Sequence, residues 1–316
     1  MSLRHFLKDD DITADEQAEI LRLAAILKAD PFADRTLEGP KVVAVLFDKP
    51  TLRTQASFTA AVAHLGGYPM IVDAKLAQVG ERESVADTAR ILGRQAVAIV
   101  WRTYGQDRIE EMAAHAGVPV VNALTDDYHP CQILADLMTI SERKGDLAGL
   151  TMAYVGDGAN NMAHSYLLGG ALAGMHVRIG TPRSHPPRED IRARAEAIAA
   201  TTGGSITVTD EAYAAATAAD VVITDTWVSM GMEAEKDSRH GAGSPFESFS
   251  VTPELMAQAD PAAIFLHCLP AYRGFEVAAE VIDGPQSVVW DEAENRLHAQ
   301  KAVLSWLLER SAGAAG

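Results

Sequence analysis

The chain has 316 residues, 48% of them apolar, enough for two domains of ordinary size with sizeable cores. Its net charge of −16, from 27 basic against 43 acidic residues, disfavours non-specific nucleic-acid binding, which needs a basic footprint. Two cysteines, Cys131 and Cys268, make no disulfide framework, and there is neither a signal-peptide type of segment at the N-terminus nor a run near the ~18 apolar residues of a membrane span, so a cytoplasmic protein without nucleic-acid or membrane partners is expected.

Thr13-Ala14-Asp15-Glu16 reads as a capping box, and Ile20, Leu23, Ala24 and Leu27 follow it at helical spacing. A connector from Pro31 to Pro40 leads to a strand at 42–47. Strands at 70–72, 96–101 and 118–122 then alternate with helices at 53–65, 84–92, 108–114 and 133–143. The turn Lys144-Gly145-Asp146 separates these from a second series, with strands at 152–155, 176–179, 206–208, 221–224 and 263–267 and helices at 161–173, 188–200 and 211–218. Such alternation predicts an α/β fold of two doubly wound parallel-sheet domains with helices on both faces. The domains are expected at 1–145 and 146–294, and the C-terminal segment 295–316 carries a helix at 295–308 that returns to the first domain. Segment 230–249 is polar, contains glycine and lacks periodicity, like the long loops that often act as lids.

Ligands of open α/β sheets bind beyond the carboxyl tips of the strands, and polar motifs follow several strand-like runs here. Lys49 to Gln55 joins a strand to a helix start; Arg53 and the hydroxyls of Thr51 and Thr54 make it an anion site, or else an ordinary turn with a Thr cap. Trp101-Arg102-Thr103 aims Arg102 from a strand end, where it serves a ligand or is a solvated charge. His129 and Gln132, three residues apart in Tyr128-His129-Pro130-Cys131-Gln132, bracket a helix start, and a capping or packing role for His129 is the alternative. Asp225 follows the strand at 221–224 and suits an α-ammonium group, an N-cap or a surface position. His267-Cys268-Leu269-Pro270 closes the apolar run 263–266; neighbours on a strand point to opposite faces, so His267 and Cys268 do not form a dyad. Arg296 lies among acidic residues and has pairing with them as its plain reading. Gly156-Asp157-Gly158-Ala159-Asn160-Asn161 starts like a dinucleotide fingerprint but has Asn161 in place of the third glycine and no ribose-binding acid after the next strand. That disfavours a nicotinamide-dependent dehydrogenase and leaves a tight turn presenting Asn161. No cluster has metal-ligand spacing.

Taken together, Phe-Asp-Lys-Pro at 47–50, Asp-Thr-Ala-Arg at 87–90, His-Pro-Cys-Gln at 129–132, Asp-Thr-Trp-Val-Ser-Met-Gly at 225–231, His-Cys-Leu-Pro at 267–270 and Glu-Asn-Arg-Leu-His at 294–298 closely resemble the ornithine carbamoyltransferase family, over residues 6 to about 308. The resemblance implies a carbamoyl phosphate domain followed by an ornithine domain. It implies transfer of a carbamoyl group to L-ornithine, giving L-citrulline in arginine biosynthesis, with no metal or organic cofactor. It also implies a homotrimer with shared active sites. On that resemblance Thr51, Leu52 (through its backbone), Arg53 and Thr54 hold the phosphate, and Gln78 reaches a neighbouring subunit's site. Arg102, His129 and Gln132 hold the carbamoyl group; Asn161, Asp225, Ser229 and Met230 grip the amino-acid end of ornithine; Cys268, Leu269 and Arg296 close over the reacting centre. The catalytic residues among these are Arg102, His129, Cys268 and Arg296.

The phosphate loop departs from the family's usual Ser-Thr-Arg-Thr-Arg: here it reads Thr51-Leu52-Arg53-Thr54-Gln55, without one hydroxyl and one cation. A lost charge-assisted hydrogen bond is worth about 1.5–3 kcal/mol, or one to two decades of affinity, so a weakened carbamoyl phosphate site is expected. Two further readings stay open: a sister carbamoyltransferase with another amine acceptor, and a non-catalytic binding or regulatory homologue.

Overall fold

A computed structural model describes residues 3–74, 76–228, 233–241 and 243–312. The chain divides into two compact units, Met1–Met138 with Glu294–Gly316, and Thr139–Ala293.

The first unit holds a four-stranded parallel sheet, β1 Val42–Phe47, β2 Tyr68–Asp73, β3 Ala98–Arg102 and β4 Val120–Leu124, in the order β2-β1-β3-β4. Helices α1 Ala14–Ala29, α2 Arg53–His64, α3 Val85–Gln95, α4 Gln106–Ala116 and the start of α5 Pro130–Lys144 accompany it. Central strands are buried on both faces: Ala44 and Leu46 share a core with α3 and α4, while the alternate Val43 and Val45 are equally buried on the other side. The edge strand β2 has only exposed and half-buried positions instead. The chain leaves β1 for β2 and returns to β3 on β1's other side, so the strand order reverses between β1 and β3.

The second unit repeats the scheme with β5 Thr151–Val155, β6 His176–Gly180, β7 Ser205–Thr209, β8 Val221–Ile223 and β9 Ile264–Leu266, all parallel, in the order β7-β6-β5-β8-β9. Its reversal lies between β5 and β8. Helix α6 Asn161–Leu172 is buried all round from Met162 onward, as a helix covered by both sheet and neighbours must be. Gly170 lets it lie close: a Cβ there would meet Val177 at 2.5 Å and Met152 at 2.7 Å. Helix α7 Glu189–Thr202 and the short α8 Ala212–Ala216 complete the predicted set. The expected aperiodic loop after residue 230 contains local order, a 3-10 turn Glu233–Glu235, α9 Lys236–His240 and a second turn Glu247–Phe249. Each is shorter than one amphipathic repeat, so no period is visible in the sequence. Two further short helices, α10 Pro253–Met256 and α11 Ala279–Ile282, lie outside the predicted elements for the same reason.

The last helix, α12 Val289–Ala312, starts six residues before its predicted first residue, 295. From Glu294 onward it belongs to the first unit. There Lys301, fully buried, donates from Nζ to the carbonyls of Leu27 at 2.8 Å and Pro31 at 2.9 Å, capping the C-terminal end of α1. Burial draws the Lys301 pKa down, and Asp34 and Asp30 oppose this. Trp306 and Arg310 both donate to Glu19 on α1. Lys301→Met keeps the length and apolar stem but strips the buried Leu27 carbonyl and the half-buried Pro31 carbonyl of their donor. The expected loss is about 1–3 kcal/mol, read as a lower urea midpoint at unchanged slope; an unshifted midpoint would show that the ammonium does not anchor the helix.

Candidate active site

The reversal in the first sheet places the ends of β1 and β3 side by side, Phe47 opposite Arg102, and the Asp48 N–H donates to the Arg102 carbonyl at 2.9 Å. The Lys49–Gln55 motif leads from the end of β1 into α2, which begins at Arg53 without a side-chain cap on Leu52. The Thr51 hydroxyl accepts from the Thr54 N–H at 3.4 Å instead. Leu52 is 79% exposed and Gln55 is exposed too. Behind them the polar groups are buried and linked. Arg102 donates from Nη1 to Thr54 Oγ1 at 3.4 Å, and Arg296 reaches the same oxygen from Nη2 at 3.3 Å. Arg296 also donates from Nη1 to Gln132 Oε1 at 2.6 Å, and Gln132 Nε2 donates to Asp136 at 2.8 Å. Gln300, with its amide oxygen toward the guanidinium, accepts from Arg296 Nη2 at 3.0 Å and Nε at 3.2 Å and donates to Ser57 Oγ at 2.7 Å. Arg296 is buried and reaches Thr54, Gln132 and Gln300; its helix carries it inward.

His129 sits just before α5, and the Gln132 N–H donates to its carbonyl at 2.9 Å. Burial, and then the positive charges of Arg296, Arg102, Arg53 and Lys49, hold its pKa well below the ordinary histidine value. The ring is a neutral imidazole at neutral pH and offers one N–H. Lys49 opens the motif but is not among the expected site residues: its side chain is buried, ion-pairs with Asp126 and lies 4.6 Å from the Tyr104 ring centroid. Cys131 contributes nothing reactive, since burial pushes its thiol up to about 12 and Sγ donates to the Asn122 carbonyl at 3.4 Å. Thr54, Arg102, Gln132 and Arg296 thus form one hydrogen-bonded group, electrostatically joined by His129 and Arg53. Gln78 is not among them; it stands exposed on the turn after β2 with a left-handed φ of +55°.

In the second unit the reversal between β5 and β8 brings the Gly156–Asn161 turn beside Asp225, with the Thr224 hydroxyl donating to the Val155 carbonyl at 2.6 Å. Gly156 has φ +146°, which glycine alone adopts without strain. Asn160 caps α6, accepting from the Ala163 N–H at 2.8 Å, and donates to Tyr154 Oη at 2.9 Å; Asn161 takes the first helical position. Asp225 is buried and accepts from the Thr226 N–H at 2.7 Å and from Cys268 Sγ at 3.1 Å. Burial raises its pKa; His267, Cys268 and Thr226 act in the other direction. A buried carboxylate so placed favours a cationic ligand. Ser229 and Met230, expected beside it, lie outside the described residues.

His267 and Cys268 turn to different partners. The His267 Nδ1 accepts from the Leu269 N–H at 2.9 Å and Nε2 lies 3.3 Å from Glu276, whereas Cys268 meets Asp225. Donor atoms of Asp225, His267 and Cys268 lie within 4.8 Å of one another, but both His267 nitrogens are committed, and two remaining ligands fall short of a metal centre. Leu269 has φ +58° and shares the left-handed region, among described non-glycine residues, with Gln78 and Ala218. Two of these three are site candidates, and strained backbone of this kind collects where ligands are held. Arg239 is a participant that its sequence context does not announce. Its guanidinium pairs with Asp157 at 2.6 Å, donates to the Trp227 carbonyl at 2.9 Å and binds Glu235 at 2.8 Å, so it ties the segment around α9 to the turn after β5.

The sequence of residues 4–142 matches the model of the aspartate/ornithine carbamoyltransferase carbamoyl-P binding domain, and residues 148–307 match that of the Asp/Orn binding domain. The chain is 61% identical over 308 residues to the ornithine carbamoyltransferase of Clavibacter sepedonicus, covering 98% of this chain and 99% of the relative. It is 59% identical over 314 residues to that of Bifidobacterium longum subsp. infantis, covering 98% and 97%. The solved ornithine carbamoyltransferase from Pyrococcus furiosus is similar with a TM-score of 0.90 at 46% identity, over 95% of this chain and 96% of that one. With both halves matched in order and each carrying its polar residues at the reversal of its sheet, the chain belongs to the aspartate/ornithine carbamoyltransferase family.

Proposed function

We propose that this chain transfers the carbamoyl group of carbamoyl phosphate to the side-chain amine of L-ornithine, forming L-citrulline and phosphate as a step of arginine biosynthesis. The observation that carries the reading is the buried Arg102–Thr54–Arg296–Gln132 group beside a neutral His129, set where the strand order of the first unit reverses. Four positive side chains act on that imidazole, a field that suits a dianionic phosphate ester.

The phosphate takes the start of α2, on the N–H groups and hydroxyls of Thr51 to Thr54 and the fork of Arg53, with Leu52 giving only its N–H. Arg102 and the single N–H of His129 donate to the carbamoyl oxygen, where negative charge develops as the amine attacks. Donors already in place for that charge are commonly the largest catalytic term. Gln132 and the Leu269 carbonyl orient the carbamoyl amide, and Arg296 holds Gln132. On the second unit Asn161 takes the α-carboxylate of ornithine and Asp225 its α-ammonium, with Ser229 and Met230 completing the grip. Cys268 helps to place the side-chain amine, whose gain is proximity. The amine nitrogen bonds to the carbamoyl carbon, the carbon–oxygen bond to phosphate breaks, and phosphate leaves with the amine proton. Every group in this scheme binds, orients or accepts a proton, so the scheme calls on no cofactor. A first domain at 1–145, a second at 146–294 and a returning segment at 295–316 are the divisions that this scheme uses. A cytoplasmic homotrimer, in which Gln78 serves a neighbouring subunit's site, accounts for an exposed, left-handed glutamine outside its own chain's group.

Citrulline formation, assayed with ornithine, putrescine, aspartate and N-acetylornithine, tests the acceptor; the expected result is a preference for ornithine. Ligand binding without any carbamoylated product would favour a non-catalytic homologue. Arg53→Ala is expected to cut kcat/KM by about two to four decades, the loss of two charge-assisted hydrogen bonds, and near-parental turnover would refute the phosphate assignment. The double substitution Leu52→Thr with Gln55→Arg is expected to lower the KM for carbamoyl phosphate by about one to two decades; an unchanged KM would mean that those two positions do not weaken the site. Asp225 gives a stability test of opposite sign. Its folded pKa lies above its unfolded value, so its favourable contribution is present below the unfolded pKa and is lost as pH rises through the folded one. At neutral pH Asp225→Asn is therefore expected to melt no lower than the parent while turnover of ornithine collapses. A variant that melts well below the parent would show that hydrogen bonds from Thr226 and Cys268 outweigh the burial penalty.

A further inference from the structure

We infer that His267 and Glu276 are positioning residues for the reaction, acting through the backbone of Leu269. The inference rests on the proposed function, in which the Leu269 carbonyl orients the carbamoyl amide. Leu269 holds a conformation that its own chemistry opposes. A left-handed φ of +58° brings its Cβ against the backbone. Something must pin it there. Its side chain packs against the core of the second unit, which fixes one end, and its N–H donates to His267 Nδ1 at 2.9 Å, which fixes the other.

That hydrogen bond requires a lone pair on Nδ1, and the surroundings of the ring enforce it. An imidazole that accepts at Nδ1 carries its proton on Nε2, and Nε2 faces Glu276 Oε1 at 3.3 Å. Both side chains are completely buried, out of reach of water. Glu276 is held in turn by the Tyr272 N–H, which donates to the same oxygen, and the His267 N–H donates to Glu292 Oε2 at 2.8 Å, fixing the start of the corner. Leu269, the strained residue, thus donates to His267, His267 donates to Glu276, and the same Glu276 oxygen also accepts from Tyr272. Cys268, between them, donates from Sγ to Asp225. A merely structural ion pair would need only the His267–Glu276 contact; a positioning role needs the Nδ1 acceptor.

Two substitutions separate these roles. His267→Asn places its amide oxygen near the position of Nδ1 and can still accept from Leu269, but it cannot reach Glu276. His267→Gln places its amide near Nε2, keeps a donor for Glu276 and loses the acceptor for Leu269. Both lose the ring and should melt lower by similar amounts. Misplacement of an orienting group by about an ångström costs about a hundredfold in rate. The expected result is kcat reduced about a hundredfold in H267Q and less than tenfold in H267N, with the KM for ornithine within about twofold in both, and crystal structures in which Leu269 keeps positive φ only in H267N. A kcat for H267Q equal to or above that for H267N, or positive φ at Leu269 in both, overturns the inference. If the parent enzyme formed no citrulline, the function reading would fail instead, and the φ of Leu269 in the two variants would still decide the structural claim. Should the His267 variants not fold, Glu276→Gln and Glu276→Met carry the same test. The amide oxygen keeps an acceptor for Nε2–H and should hold kcat within about tenfold, the thioether should lose about a hundredfold, and equal kcat in the two overturns the inference.

Discussion

The guanidinium of Arg296 is the joint on which the first half of the site depends. Its forks reach Gln132 on α5, Thr54 on α2 and Gln300 one turn further along its own helix. Arginine suits this position because its planar donors serve several acceptors at once and stay charged when buried. Breaking such a group leaves buried acceptors unpaired, which costs more than any one bond contributes. The same arrangement explains why α12 is anchored so heavily. Lys301, Trp306 and Arg310 secure it on α1, and this fixes the register at which Arg296 meets α2 and α5.

The electrostatics of the two units are opposite in kind. In the first, burial and then the positive charges of Arg296, Arg102, Arg53 and Lys49 keep the His129 imidazole neutral. A neutral ring can donate a hydrogen bond without carrying a charge that would compete with the arginines for a phosphate ester. In the second, Asp225 is a carboxylate out of water with a thiol and one N–H for company, a setting that becomes favourable when a cation arrives. Each unit is least comfortable without the ligand of opposite charge, which is the physical basis for assigning one substrate to each.

Much of the architecture was legible in order along the chain. Apolar runs such as 42–47 and 152–155 end in polar motifs, and a strand buried on both faces leaves a continuous apolar signature. Ends of elements were less legible. Helix α12 begins six residues before its predicted start, and α10 was missed although Thr252 and Pro253 provide a capping signal, because four residues show no period. The segment around α9 has the sequence of an aperiodic, lid-like loop, yet Arg239 binds it to Asp157 and to the Trp227 carbonyl. Nothing in a local window announces a pair separated by that many residues.

Composition, alternation and the polar residues at strand tips were determined by the sequence alone, and with them the parallel sheets, the motifs that resemble the carbamoyltransferases and the altered loop at Leu52 and Gln55. Only the tertiary structure decided which of those residues meet. It joined Arg296 to Gln132, committed His267 to Leu269 and Glu276, left Gln78 outside its own chain's group, and added Lys49, Arg239 and Gln300 to the groups that matter. The reason is geometric. Sequence spacing fixes which face of a helix or strand a side chain occupies, whereas a hydrogen-bond partner is fixed by where the other elements have been packed.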